Sequence, residues 1–193
     1  MQILVVDDDL SIRRILTAML RKWNYDVVEA SDGEEAWQLL QQQPINFILS
    51  DWMMPRLDGV ELCRRLRAAE FPHYIYLILL TGKDQADDLI MALEAGADDF
   101  LTKPVNAKEL RVRIKAGERV LHLEKALLAK NQELQQANQA LETSQQRIRR
   151  DLQAAAKIQQ DLLPHSQQTG LPIDLAWAFM PADELAGDIF NFY

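Results

Sequence analysis

Ile3-Leu-Val-Val-Asp-Asp-Asp9 sets an unbroken apolar run directly against three acids. The run has no apolar/polar alternation, so it reads as a strand covered on both faces, as in a parallel sheet. Short β-rich or apolar runs, most of them also without alternation, recur at Tyr25–Glu29, Phe47–Ser50, Ile75–Leu80 and Phe100–Thr102. Segments of helical period lie between them. Ile12, Ile15, Leu16 and Met19 share one face, and so do Ala36, Leu39 and Leu40 in the next segment. Leu62, Cys63 and Leu66 form a third face, and Ala86, Leu89, Ile90 and Leu93 a fourth. Helix-start signals agree: Asp32 stands three residues before Glu35, and Asn106 three before Glu109. Strand then helix, five times over, predicts an α/β fold: a five-stranded, doubly wound parallel sheet with helices on both faces. Ligands of such sheets bind at the carboxyl ends of the strands, where the strand order reverses.

Polar residues at those strand ends form a chemically coherent set. The first strand ends in Asp7, Asp8 and Asp9, the third in Asp51, the fourth in Thr81-Gly82, and the fifth is followed by Lys103-Pro104. Singly, each has an ordinary explanation. Asp9 or Ser11 is suited to cap the first helix, and Pro55 with Asp58-Gly59 marks a turn after Asp51. Together they gather carboxylates, a hydroxyl and an ammonium at one edge. Carboxylates without a nearby histidine or thiol suit a hard cation, Mg²⁺ above all, with Mn²⁺ as the alternative. A carboxylate beside such an ion can attack phosphorus and form an acyl phosphate. Lys103, Thr81 and the backbone N–H groups of Trp52 and Gly82 are then available to the added oxygens.

Composition narrows the class. The chain has 193 residues, 48% hydrophobic and 26% charged, the balance of a globular protein of one domain plus an appendage, or two small ones. The single cysteine excludes a disulfide framework. A net charge of −8 offers no broad basic field for DNA, and the cluster Arg147, Arg149 and Arg150 reads as a solvated helix face. The longest apolar stretch, Ile75 to Leu80, is too short to cross a bilayer. The N-terminus lacks a secretory pattern. The expectation is a cytoplasmic protein with neither a membrane nor a DNA partner. Residues 1–117 carry −5 and residues 118–193 carry −3. A Gln-rich stretch without Pro or Gly runs from Glu118 to Leu163, which places boundaries near Gly117 and Pro164.

The segments Ile3 to Asp9, Ile48-Leu-Ser-Asp-Trp-Met-Met-Pro-Arg-Leu-Asp-Gly59, Leu79-Leu-Thr-Gly82 and Ala95-Gly-Ala-Asp-Asp-Phe-Leu-Thr-Lys-Pro104 resemble the receiver domain of two-component response regulators. The resemblance covers residues 1–117 and implies a flavodoxin-like fold. It implies Asp51 as the phosphoacceptor. Asp7 and Asp8 would hold Mg²⁺ with Asp51 and the Met53 carbonyl, and Thr81 and Lys103 would contact the phosphoryl group. Phe100 matches the switch aromatic that turns inward as Thr81 moves. The resemblance also implies a cis Lys103–Pro104 bond and, as phosphoryl donor, a sensor histidine kinase or phosphotransfer protein. The chain itself is then expected to perform only phosphotransfer onto itself, without turning over a substrate. A competing reading is a haloacid-dehalogenase-type phosphohydrolase, with Asp7 of Asp7-Asp8-Asp9 as nucleophile. Met53 and Lys83, each two residues beyond a site residue, border the path of an attacking water.

The last helix is expected to start at Asn106, bury Leu110, Ile114 and Leu121, and continue through Gly117, since a lone Gly costs a helix only about 1 kcal/mol. Leu127, Leu134, Leu141 and Ile148 then recur every seven residues, with Ala155 and Leu162 continuing the column. With these at heptad position d, position a holds Asn131, Asn138, Gln145 and Leu152. Buried Asn at a favours a parallel two-stranded coil of fixed register. Residues 118–163 are therefore expected to form a parallel homodimer. Pro164 ends the helix, a linker follows, and Ile173–Phe179 reads as a strand. Ala156-Lys-Ile-Gln-Gln-Asp-Leu-Leu-Pro164 with Pro181-Ala-Asp-Glu-Leu-Ala-Gly-Asp188 resembles the opening of PP2C-like serine/threonine phosphatases that act on phosphorylated anti-sigma-factor antagonists. That resemblance implies Asp188 as a metal ligand of a complete phosphatase domain. Ala186 and Asn191 depart from its pattern. The expectation is a piece of a longer regulator, without phosphatase activity of its own.

Overall fold

A computed structural model describes residues 1–82, 91 and 93–162. Its elements are β1 (Gln2–Val6), α1 (Leu10–Lys22), β2 (Asp26–Ala30), α2 (Gly33–Gln42), β3 (Phe47–Asp51), α3 (Gly59–Ala68), β4 (Tyr76–Thr81), β5 (Asp99–Thr102) and α4 (Ala107–Leu162). The strands pair in the order β2-β1-β3-β4-β5, all parallel. The order reverses between β1 and β3, so the crevice at their carboxyl ends is the binding position of this architecture. This is the expected five-stranded, doubly wound α/β sheet. Ala86, Leu89 and Ile90 lie outside the described residues.

The unbroken apolar runs form central strands because both faces are covered. Ile3 to Val6 and Phe47 to Leu49 are fully buried, as are Leu77 to Leu80. Alternate side chains of each strand enter two different cores. Leu4, Val6, Ile48, Leu77 and Leu79 pack with α2 and α3. Ile3, Val5, Leu49, Ile78 and Leu80 pack with α1 and the start of α4. Residue 15 departs from expectation. Leu16 and Leu20 bury the inner face of α1, whereas Ile15 is 54% exposed. The apolar stripe of α1 is wider than the strip the sheet can cover.

Helix starts are held by side-chain caps. Asp9, Asp32 and Asp58 cap α1, α2 and α3, and the Asn106 carbonyl oxygen of the side chain accepts from the N–H groups of Lys108 and Glu109. Glu35 reaches the N–H and hydroxyl of Ser31 at 2.8 and 2.6 Å. That is one residue upstream of the capping-box position.

The chain divides into two compact units, Met1–Ala129 and Lys130–Tyr193. In the first, Leu110 and Ile114 of α4 are buried and Leu121 packs partly against the same core. The boundary expected at Gly117 falls inside this unit. A Cβ on Gly117 would stand 2.6 Å from the Phe47 ring and 2.8 Å from Tyr76, so the glycine lets the helix lie directly on two aromatic rings. In the second unit, Leu134, Leu141 and Ile148 are each more than half exposed. Residues 163–193 lie outside the described residues, and with them Asp188 and the phosphatase-like sequence beyond Leu162. Among the described residues, no helix is long and apolar enough to cross a membrane.

Candidate functional site

Three strands deliver the acids and the cation to one place. β1 ends at Val6 and is followed by Asp7 and Asp8; β3 ends in Asp51. Carboxylate oxygens of Asp7, Asp8 and Asp51 all lie within 4.8 Å of one another. Lys103, just beyond β5, places its Nζ 2.8 Å from Asp7 Oδ2 and 2.8 Å from Asp51 Oδ1. The Lys103–Pro104 bond is cis.

Burial differs sharply among the acids. Asp7 is 0% exposed and Asp51 8% exposed, while Asp8 faces solvent. Asp7 is fully engaged: besides Lys103, its Oδ1 accepts from the Asp9 N–H at 2.9 Å. Asp51 Oδ1 accepts from the Trp52 N–H at 2.8 Å, and that N–H also reaches the Leu80 carbonyl at 2.9 Å. Asp9 belongs to the helix rather than the pocket, since its carboxylate accepts from the N–H groups of Ser11 and Ile12.

The electrostatics follow from this packing. Burial pushes the Asp51 carboxyl above the usual range, against the opposing pull of Lys103, and the neighbouring Asp7 charge adds to the rise. Burial alone would lower the Lys103 ammonium, but its hydrogen bonds and charge pairing with Asp51 and Asp7 outweigh it, so its pKa is raised. Lys103 is therefore cationic. Its single charge faces three acidic side chains, an excess of negative charge that a divalent cation would neutralise. The donors are all oxygens, with no histidine or cysteine in the cluster, which fits Mg²⁺.

The other described residues named from sequence lie at the end of β4, on β5 and on the turn after β3. Thr81 ends β4, is buried, and pairs in register with Thr102; its carbonyl accepts from the Lys103 N–H at 2.7 Å. Gly82 follows, exposed, and a Cβ there would meet nothing within 4 Å. Phe100 of β5 is half-buried. Met53, on the turn after β3, is 77% exposed. Lys83 lies outside the described residues.

Two arginines join the site that strand-end reasoning does not find. Arg13 of α1 donates through Nη1 to the Asp7 carbonyl, and its Nε lies 3.5 Å from Glu29 of β2. Arg56, in the loop after Asp51, pairs with the buried Asp32. Neither belongs to an apolar run or a capping pattern. The available signal is only that each is a cation within six residues of a strand-end acid.

Known proteins resemble the chain over this region. The chain is 44% identical over 117 residues to the alkaline phosphatase synthesis transcriptional regulatory protein PhoP of Bacillus subtilis, covering 60% of this chain and 47% of that protein. It thus spans about half the length of the curated relatives it matches. Among solved structures, the Francisella response regulator 1452 receiver domain superposes with a TM-score of 0.58 at 34% identity, covering 62% of this chain and 98% of that one. The receiver domain of Saccharomyces cerevisiae Ssk1, solved with the histidine phosphotransfer signaling protein Ypd1, matches at TM-score 0.55 and 28% identity, covering 59% of this chain and 86% of that one. The family model described as the response regulator receiver domain matches residues 3–115, the stretch that builds both the sheet and the acid pocket. A parallel sheet with these acids and this lysine at its carboxyl edge, matched over more than half its length, places the chain in the response regulator receiver domain family.

Proposed function

We propose that the chain is a phosphorylation-driven switch in which Asp51 accepts a phosphoryl group from a sensor histidine kinase or a phosphotransfer protein. The convergence of Asp7, Asp8, Asp51 and Lys103 carries this reading. The co-crystal of Ypd1 with a related receiver supports the class of donor. Asp51 is favoured over Asp7 as nucleophile because the Asp7 side chain is wholly buried, whereas Asp51 keeps 12% of its side chain open. That difference also weighs against the haloacid-dehalogenase reading.

In the transfer, an Asp51 oxygen attacks phosphorus, the P–O bond forms and the P–N bond to the donor imidazole breaks. The imidazole keeps the electron pair and takes a proton from solvent. Asp7, Asp8, Asp51 and the Met53 carbonyl would hold Mg²⁺, which supplies positive charge to the phosphoryl oxygens when bound. Lys103 exchanges its contact with Asp51 Oδ1 for one with the phosphoryl group and keeps Asp7. Thr81 and the N–H of Gly82 offer further donors, and Phe100 is the aromatic that would follow Thr81 inward.

The output passes through α4. The exposed column Leu127, Leu134, Leu141 and Ile148 supports a parallel coiled-coil homodimer, with Asn131 and Asn138 setting register. Residues 164–193 open a PP2C-like phosphatase effector, in which Asp188 is a metal ligand and a phosphorylated anti-sigma-factor antagonist the substrate. Treatment with acetyl phosphate tests the first step. The native chain is expected to gain one phosphoryl mass only when Mg²⁺ is present, and Asp51→Asn none. Labelling lost in Asp7→Asn but retained in Asp51→Asn would favour the phosphohydrolase instead.

A further inference from the structure

The corner where β2 runs into α2 grips the loop after Asp51 without belonging to the acid pocket. Asp32 is 1% exposed, and its two oxygens serve different partners. Oδ1 accepts from the N–H groups of Glu34 and Glu35 at 2.9 and 3.0 Å and caps α2. Oδ2 pairs with Arg56 Nη2 and accepts from the Ser31 hydroxyl at 3.3 Å. One residue on, the Gly33 N–H donates to the Leu57 carbonyl at 3.1 Å, and a Cβ on Gly33 would stand 2.5 Å from that oxygen. The start of α2 is therefore seated directly on residues 56 and 57.

Arg56 has φ 68°, in the left-handed region that non-glycine residues seldom enter. Such a conformation persists where the surroundings over-determine it. Here the surroundings are identifiable. Leu57 is buried beside Gly33, the Gly59 N–H closes the loop onto the Trp52 carbonyl at 2.9 Å, and the Arg56 guanidinium is anchored on a buried carboxylate. Between the two anchors at 52 and 56 lies Met53, whose side chain is out in solvent. The pair thus ties down a stretch of the pocket that no strand or helix fixes.

We propose that the Asp32–Arg56 pair is a positioning latch for the Mg²⁺ site, holding the 52–58 loop so that Asp51 and the Met53 carbonyl face the ion together. Asp32 acts through Arg56 and the loop, and touches neither ion nor phosphoryl group. The inference rests on reading Asp7, Asp8 and Asp51 as the Mg²⁺ site. It separates Asp32 into two functions that substitution can divide. Asparagine caps a helix as well as aspartate does, so Asp32→Asn keeps α2 capped and discharges only the latch. Arg56→Gly removes the guanidinium while leaving the left-handed conformation free of strain.

Mg²⁺ titration of the full chain, read by calorimetry and tryptophan fluorescence, tests this together with melting in Mg²⁺-free buffer. Asp32→Asn and Arg56→Gly are each expected to raise the Mg²⁺ Kd about tenfold, the lower end for residues that support metal ligands from outside. The double variant is expected to be no weaker than either single one, because both remove the same interaction. Arg56→Lys is expected to retain most of the affinity. Labelling by acetyl phosphate at saturating Mg²⁺ is expected to be unchanged in Asp32→Asn, which a general disordering of the pocket would not allow. Native affinity in Asp32→Asn, additive losses in the double variant, or a loss in Asp32→Asn without one in Arg56→Gly would each overturn the latch. A native chain that binds no Mg²⁺, or an Asp8→Asn chain that binds it as tightly as the native one, would instead overturn the metal site on which it rests.

Discussion

Asp51 sits in an unfavourable electrostatic position. Burial raises its pKa, so the folded chain holds its proton to higher pH than the unfolded chain does. Stability therefore falls as pH rises from the unfolded carboxyl value through the folded one. Asp51→Asn removes one charge of the crowded acid set and leaves Lys103 its pairing with Asp7. In Mg²⁺-free buffer at pH 7 it is expected to stabilise the fold by about 1 kcal/mol, the low end for replacing buried ionic groups. The gain should shrink as pH falls, and urea melts at several pH values would show it. Loss of stability at pH 7 would mean that the Lys103 pair outweighs the crowding. Next to it, Met53 is exposed and apolar, and offers no group to orient an attacking water. The phosphoryl group is expected to persist for minutes to hours, and Met53→Asn to hasten its loss about tenfold, a fraction of what a positioned base supplies. Phosphate release from the isolated phosphorylated chain measures both. Decay within seconds in the native chain would refute the role given to Met53.

At the scale of elements, the strands and their polar ends were readable because burial on both faces leaves an unbroken apolar run, and the first polar residue after it marks the carboxyl edge. Asp7, Asp51, Thr81 and Lys103 were found that way. The face of α1 was read less well. Ile15 fits the period as well as Leu16 does, and only packing against the sheet separates them. The Asp32–Arg56 and Arg13–Glu29 pairs were not legible at all, since they join residues from different loops with no periodic signature. Gly117 shows the same limit. As sequence it is a weak point in a helix; in the fold it is a contact with Phe47 and Tyr76. Gly117→Ala should gain about 1 kcal/mol of helix propensity and lose about 1 to 3 kcal/mol to overpacking against two buried rings. A net fall in Tm is expected. A rise would show that the helix can shift away from the sheet without cost.

At the scale of the whole molecule, the receiver is useful only if its state reaches the residues beyond it, and α4 is the element that leaves it. In the proposed coiled coil, the polar residues at heptad position a would weaken the seam of the d column. A marginal seam can be shifted by a modest difference in affinity between two states. Leu134→Glu with Leu141→Glu is expected to abolish association, read by light scattering across a concentration series, while leaving labelling of the receiver intact. Unchanged mass in solution would remove the coil from the proposed output.

The most direct measurement is the location of the adduct itself. An acyl phosphate formed with acetyl phosphate and Mg²⁺ can be trapped by borohydride reduction and placed by peptide mapping. The modification is predicted on Asp51 alone, and absent when Mg²⁺ is chelated. A modification on Asp7, or an adduct that forms equally well without the ion, would contradict the assignment of this pocket.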